Sequence, residues 1–302
     1  MKKLSFVMIV IVGLLLVGCK NNEESNNEQE NQHPEQNKTA EQQESEKKEA
    51  DLNNGGQSTG ESDIDEEEDT TVEEEEMKVP TEPLYEIAED WSVVPLQEGI
   101  NEKVVLLTID DAPDQHAVEM AKTLKELDAP AIFFVNGHFI DSEEEQERLK
   151  EIYNMGFAIG NHTYNHTNLQ SIENDQTKQK EEIVSLNNKI EDILGERPKF
   201  FRAPNGSNTD YANGIVEEEG MVLMNWTYGY DYFKPYMDAD KLATAMITGE
   251  GPEVDVPYSL LKSGANLLMH DREWTAEALA EIVKGLRGQG YEIMDPHLIK
   301  TP

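Results

Sequence analysis

The chain has 302 residues, of which 62 are acidic and 25 are basic, so its formal net charge is −37. This balance argues against recognition of a nucleic acid, because phosphate binding requires clustered lysine and arginine. A single cysteine, Cys19, excludes an intramolecular disulfide framework and any CxxC metal or redox site.

The first segment has the pattern of an export signal. Lys2 and Lys3 precede an uncharged run over residues 4–19, which is too short to span a bilayer comfortably. The run ends in Leu-Val-Gly-Cys and resembles the lipobox of bacterial lipoproteins, in which the cysteine is lipidated. We therefore expect a signal peptide at 1–18 and a lipid anchor at Cys19, which places the protein outside the cytoplasm, on the cell membrane and facing the wall. An uncleaved anchor helix is the alternative.

Residues 19–83 are predicted to form a disordered acidic linker. They are rich in asparagine, glutamine, glutamate and serine, and residues 20–90 hold 25 acidic but only 5 basic side chains. Such a segment has too few apolar groups to offset the entropy cost of ordering. The folded domain is therefore expected over 84–302.

From residue 84 onward, apolar runs typical of buried strands alternate with amphipathic helical patterns. Strands are predicted at 104–110, 131–135, 157–160, 199–202, 221–227, 266–270 and 291–294. Helices are predicted at 115–128, 142–156, 171–194, 209–219, 238–248 and 274–287. Seven alternating units predict an α/β fold with a parallel sheet, as a closed or nearly closed barrel. An open doubly wound sheet is the alternative.

Reactive polar side chains follow the predicted strands at their carboxyl ends, where barrel active sites are built. They are Asp110, Asp111, His162, His166, Arg202, Asp231 and His270. Two imidazoles spaced i and i+4, together with one aspartate, can supply the three ligands of a catalytic divalent metal. The other aspartate of the adjacent pair is then free to accept a proton. No GxGxxG or GxxxxGK[ST] motif is present, which argues against nucleotide sites. The GxSxG match at 56–60 (GQSTG) lies in the predicted linker, so no such elbow follows a predicted strand, which argues against a serine hydrolase site.

Four segments carry a family resemblance. Residues 108–113 (TIDDAP), 160–166 (GNHTYNH), 201–206 (FRAPNG) and 268–270 (LMH) resemble the first, second, third and fifth motifs of the polysaccharide deacetylases. This family is also known as the NodB-homology domain or carbohydrate esterase family 4. The resemblance spans about 100–296 and implies a distorted (β/α)7 barrel. It also implies removal of N-acetyl groups from amino sugars, or of O-acetyl groups from xylan.

The resemblance assigns roles residue by residue. It implies that Asp111, His162 and His166 hold a divalent metal, with Zn²⁺ the first choice and Co²⁺ or Mn²⁺ also suitable. It further implies that Asp110 is the general base and His270 the general acid.

Other roles implied by the resemblance concern supporting residues. Arg202 would orient the general base, and Asp231 would pair with the general acid or with Arg202. The backbone N–H of Asn205 would stabilise the oxyanion. Apart from the resemblance, Trp91, Trp226 and Trp274 could stack on sugar rings; core packing is the default for each, and Trp226 is the best candidate for the rim. Three departures from the family pattern stand out: Ala112 replaces a usual glycine, Asn205 replaces a common aromatic residue, and the fourth motif, 226–232, has unusual spacing.

The expected function is hydrolysis of a linear amide, with acetate released from a cell-wall polysaccharide by a monomeric protein. The natural sugar is left open between N-acetylglucosamine, N-acetylmuramic acid and chitin. Two alternatives remain, namely a glycan-binding lipoprotein without turnover and an O-acetyl esterase of the same fold.

Overall fold

The computed structural model describes residues 82–302. The predicted signal peptide, Cys19 and nearly all of the predicted linker lie outside these residues and stay predictions. Within 82–302, no helix combines the length and the apolar composition that crossing a bilayer requires.

The described residues form nine strands and six α-helices. The strands are β1 (Tyr85–Ile87), β2 (Val93–Pro95), β3 (Val104–Ala112), β4 (Ile132–Val135), β5 (Ala158–Asn161), β6 (Phe200–Phe201), β7 (Val222–Leu223), β8 (Ala265–His270) and β9 (Glu292–Ile293). The helices are α1 (Ala117–Glu126), α2 (Glu143–Asn154), α3 (Gln176–Leu194), α4 (Asp210–Glu218), α5 (Ala239–Thr248) and α6 (Glu273–Gly288).

Seven parallel strands form one curled sheet. Their order is β7-β6-β5-β4-β3-β8, and β9 pairs with the first two residues of β3. An isolated parallel bridge between Tyr228 and Leu267 joins the segment after β7 to β8, so the two ends of the sheet approach each other. The curled sheet confirms the predicted distorted (β/α)7 barrel over the open doubly wound alternative.

Strand β3 lies inside the sheet, and all nine of its residues are buried. Its apolar side chains alternate between two clusters: Val105, Leu107 and Ile109 pack with the helices, whereas Val104 and Leu106 pack on the inner face of the sheet. Because side chains alternate along a strand, Asp110 continues the inner row to the carboxyl end of β3. The strand therefore carries this carboxylate to the mouth of the barrel.

The predicted helices are all present, and one boundary differs by more than two residues. A capping box begins α2, because Ser142 Oγ accepts from the N–H of Glu145 while Glu145 Oε2 accepts from the N–H of Ser142. Helix α3 begins at Gln176, and the prediction of a start at 171 was wrong. A separate 3₁₀ turn, Leu169–Ile172, precedes α3, and Asp175 caps its first turn.

One strand prediction needs correction, and one pair of strands was not predicted. The strand predicted at 221–227 is regular only over β7, because the chain leaves β6 after the N–H of Met224, which donates to the carbonyl of Phe201, and crosses to β8. There the N–H of Thr227 donates to the carbonyl of Asn266 at 2.8 Å. The antiparallel hairpin β1–β2 was not predicted, since strands of three residues are too short to show an alternating pattern.

Candidate active site

The carboxyl ends of the parallel strands surround a cavity of about 360 Å³. It is lined by Asp110, Asp111, His162, His166, Asn205, Trp226, Asp231, Tyr232, Leu268, His270 and Arg272. Arg202, the other residue expected at the site, lies fully buried behind the lining and reaches it through Asp110. The structure thus brings together every site residue predicted within 82–302.

Three side chains of the lining have the geometry of a metal site. One ligand atom from each of Asp111, His162 and His166 can be chosen so that all three lie within 4.8 Å of one another. Asp111 Oδ1 is 3.5 Å from His166 Nε2 and 3.9 Å from His162 Nε2. Ligands about 2.0–2.2 Å from a tetrahedral zinc ion are separated by roughly 3.3–3.6 Å. The three atoms therefore fit a divalent cation with little movement.

The hydrogen bond at His162 fixes its tautomer. Its Nδ1 lies 2.8 Å from the backbone carbonyl of Arg202, which can only accept, so Nδ1 carries the proton. In the neutral ring, Nε2 then presents a lone pair toward Asp110 Oδ2 at 3.5 Å and Asp111 Oδ1 at 3.9 Å. A lone pair facing two carboxylates is repulsive unless a metal cation or a second ring proton lies between them. The donor set thus fits a bound metal, with the second ring nitrogen held as in other metal-binding histidines.

The second histidine reaches the site through a loop. Side chains spaced i and i+4 share a face only in a helix, but residues 162–166 are not helical, and Thr163 and His166 adopt positive φ angles of 67° and 54°. Glu182 holds this loop, since its carboxylate accepts from the N–H of Asn165 and from Thr167 Oγ1, each at 2.8 Å. Sequence reasoning missed Glu182 because it lies on α3, far along the chain.

Burial and the neighbouring imidazole of His162 lower the pKa of His166. A lower pKa favours the neutral ring, which is the form that binds metals. For Asp111, burial opposes the charge, but the surrounding imidazoles and Arg272 hold the pKa of its carboxyl below the usual value. The surroundings therefore favour the neutral imidazole at His166 and the carboxylate at Asp111.

Asp110 is oriented by a buried arginine. Arg202 Nη1 donates to Asp110 Oδ1 at 2.6 Å and to Thr108 Oγ1 at 2.9 Å, while Nη2 donates to the carbonyl of Asn225 at 2.8 Å. The guanidinium also lies 4.3 Å from the ring centroid of Phe134. With Oδ1 held in this way, Oδ2 is the oxygen that faces His162.

His270 forms a separate charged pair with Asp231. Its Nδ1 lies 2.8 Å from Asp231 Oδ1, and the fully buried carboxylate also accepts from the N–H of His270 and from Thr275 Oγ1. Burial opposes a charged imidazole, but the Asp231 carboxylate raises the pKa of His270 to about 9. Of the two partners expected for Asp231, the structure shows His270. The Nε2–H of His270 stays available to the cavity.

The rim contains two of the predicted contact residues. Asn205 lines the cavity in a left-handed backbone conformation with φ of 58°. Trp226 lines it beside Gly206, where an added Cβ would lie 3.1 Å from the indole, so glycine leaves room for this ring. Tyr232, which is 43% exposed, packs edge-on against His270 with ring centroids 5.6 Å apart.

One charged lining residue was missed by the sequence reasoning. Arg272, the residue before α6, donates from Nη2 to Asp111 Oδ2 at 2.7 Å. The signal for it was its place two residues after His270, but nothing in the sequence indicated which way its side chain turns.

Comparison with known proteins agrees with this geometry. The family model described as polysaccharide deacetylase matches residues 97–224. The chain is 31% identical over 207 residues to a peptidoglycan-N-acetylglucosamine deacetylase of Bacillus cereus, covering 66% of this chain and 71% of that relative. It is 27% identical over 181 residues to the uncharacterized protein YlxY of Bacillus subtilis, covering 60% of this chain and 51% of that relative.

A solved structure is similar over the same region. A mutant of a carbohydrate esterase family 4 pseudoenzyme from Bacillus anthracis, with restored enzymatic activity, aligns with a TM-score of 0.56 at 28% identity, covering 65% of this chain and 67% of that one. That fold occurs in both inactive and active proteins, so the side chains of the cavity decide whether a protein with this fold is active. By sequence and by fold, the chain belongs to the polysaccharide deacetylase family, carbohydrate esterase family 4.

Proposed function

We propose that the protein is a metal-dependent hydrolase that removes N-acetyl groups from amino sugars of a cell-wall polysaccharide and releases acetate. The observation that carries this proposal is the arrangement at His162. Its Nε2 lone pair faces both aspartates, one suited to bind a metal and the other to accept a proton. Zn²⁺ is our first choice, and Co²⁺ or Mn²⁺ also suits two imidazoles and one carboxylate.

When bound by Asp111, His162 and His166, the cation would lower the pKa of water in the cavity and polarise the acetyl carbonyl. Asp110 Oδ2 accepts the proton as water attacks the carbonyl carbon, because Arg202 holds the other oxygen. The backbone N–H of Asn205 donates to the carbonyl oxygen as negative charge develops there.

His270 completes the reaction as the general acid. Its Nδ1–H is bound to Asp231, so Nε2–H donates a proton to the nitrogen as the carbon–nitrogen bond breaks. The products are acetate and a sugar with a free amine. Trp226 and Tyr232 form an aromatic rim that suits the apolar face of a sugar ring.

Acetate release tests the proposal and its alternatives. The purified protein would be assayed on peptidoglycan, on N-acetylglucosamine oligomers and on O-acetylated xylan, with zinc and with a chelator. Zinc-dependent release from the N-acetylated substrates supports the proposal. Release only from xylan identifies an O-acetyl esterase. Binding to the glycan without release identifies a non-catalytic protein like the family's pseudoenzymes.

We further propose that lipidated Cys19 anchors the protein to the outside of the cell membrane, with residues 20–83 as a spacer. The support is the lipobox-like sequence and the acidic composition. A chain of this length has an end-to-end distance of roughly 45 Å, and charge repulsion extends it. That reach would carry the catalytic domain to wall glycan.

A further inference from the structure

The two carboxylate oxygens of Asp111 have different partners. Arg272 Nη2 donates to Asp111 Oδ2 at 2.7 Å. The other oxygen, Oδ1, faces the Nε2 atoms of His162 and His166. Arg272 therefore touches the proposed metal site on the side away from the imidazoles.

Arg272 is itself held by a fixed stretch of backbone. Its Nη1 donates to the carbonyl of Asp271 at 2.8 Å. The N–H of Asp271 donates to the carbonyl of Asp110 at 3.0 Å, and Asp271 Oδ1 accepts from the N–H of His116 at 2.6 Å. These bonds tie the start of α6 to β3 and to the residue before α1. The backbone that carries Arg272 is therefore held in place relative to Asp111, although the Arg272 side chain is 37% exposed.

The backbone of Asp111 needs such support. It has a φ of 63°, a left-handed conformation that is unfavourable for an aspartate within a strand and persists only where the surroundings hold it. The ion pair with Arg272 is one of the contacts that fixes this residue and the rotamer of its side chain.

We propose that Arg272 is a positioning residue of the metal site, which holds Oδ2 of Asp111 so that Oδ1 alone is presented to the cation. The inference rests on the metal ligation put forward in the proposed function. Residues that hydrogen-bond to a metal ligand typically change metal affinity about 10–100-fold when they are removed. Arg272 acts here through Asp111 and needs no contact with substrate.

The chain offers a matched control in the same helix. Arg287, in the last turn of α6, also donates two guanidinium hydrogen bonds, to the carbonyls of Leu127 and Asp128. Arg272→Ala and Arg287→Ala therefore each remove two such bonds, but only the first touches a proposed ligand. Arg272→Lys keeps the positive charge but lacks the planar guanidinium that donates to two acceptors at once.

The experiment measures zinc affinity of the full-length protein in detergent, by competition with a chelator and without substrate. We expect Arg272→Ala to weaken zinc binding about 10–100-fold, Arg272→Lys to lie between it and the parent, and Arg287→Ala to stay within about twofold of the parent. Parent-like or tighter binding by Arg272→Ala overturns the inference, and so does an equal loss in Arg287→Ala. If Arg272→Ala does not fold, Arg272→Met, which keeps the aliphatic stem, replaces it with the same expectations.

The experiment distinguishes a failure of this inference from a failure of the proposed function. Because no substrate is present, a parent protein that binds zinc but releases no acetate refutes the proposed activity alone. An unchanged zinc affinity in the Arg272 variant, with activity in the parent, refutes the positioning role alone.

Discussion

Replacing Asp231 with asparagine tests how the general acid is kept protonated. The Asp231 carboxylate, buried against His270, raises the pKa of that imidazole from 6.5 to about 9 while burial opposes the charge. In Asp231→Asn the burial remains and the strongest neighbouring charge is lost, while Asp110 and Asp111 still favour the imidazolium, so the pKa of His270 should fall toward its ordinary value. The substitution keeps the shape of the side chain, which limits the disturbance to electrostatics.

The size of the effect follows from the two pKa values. At pH 8 an imidazole with a pKa of about 9 is about 90% protonated, whereas one with a pKa of about 6.5 is about 3% protonated. If His270 must be protonated to release the amine, the variant should be about 30-fold slower at pH 8 from this cause alone. The loss should shrink as pH falls, because both proteins then carry the imidazolium.

The assay is the pH dependence of kcat for acetate release at fixed zinc loading. The falling basic limb should move to lower pH in Asp231→Asn. A bound cation lowers the pKa of His270 in both proteins, so the difference between them is the tested quantity. Asp295→Asn is the matched control, since Asp295 makes a similar contact of 2.7 Å with His297 outside the cavity. Coincident basic limbs in Asp231→Asn and the parent would refute the assignment of His270 as the acid.

Three further outcomes are expected. His162→Ala should lose bound zinc and turnover while far-UV circular dichroism stays unchanged, and full zinc occupancy in this variant would remove His162 from the ligand set. Asp110→Asn should keep zinc, which Asp111 still binds, but lose a factor of about 10²–10⁴ in rate; parent-like turnover would contradict the role of Asp110 as base. Cys19→Ser should move the protein out of the membrane fraction, and unchanged fractionation of a processed chain would argue against the lipid anchor.

The fold was predictable where single elements carry strong local signals. β3 begins with an apolar run because clusters on both of its faces bury it, and β8 contains the buried apolar run 267–269. A complete capping box marks the start of α2. The two-residue strand β7 could not be bounded from sequence. Its neighbours in the chain hydrogen-bond to different strands, and that depends on how the sheet curls.

The sequence was enough to predict which residues form the site, but not all of the contacts between their side chains. Motif residues at strand ends were correctly expected to meet, because parallel strands bring their carboxyl ends to one edge. The partner of Asp231 stayed open, because His270 and Arg202 both lie near it in the barrel order. Arg272 was not predicted, for a similar reason. Its contact with Asp111 depends on the orientation of one side chain at the start of α6, which the spacing of residues along the sequence does not determine.

The pairing of charges around the cavity explains why this site suits an anionic transition state. Each carboxylate of the lining has a cationic partner, in the pairs Asp110–Arg202, Asp111–Arg272 and Asp231–His270. The charges within each pair offset each other. In the proposed reaction, a divalent cation held by Asp111, His162 and His166 would therefore add positive charge that no other described carboxylate of the lining neutralises. That charge would stabilise the negative charge expected to develop on the acetyl oxygen, within a cavity whose donors are already oriented.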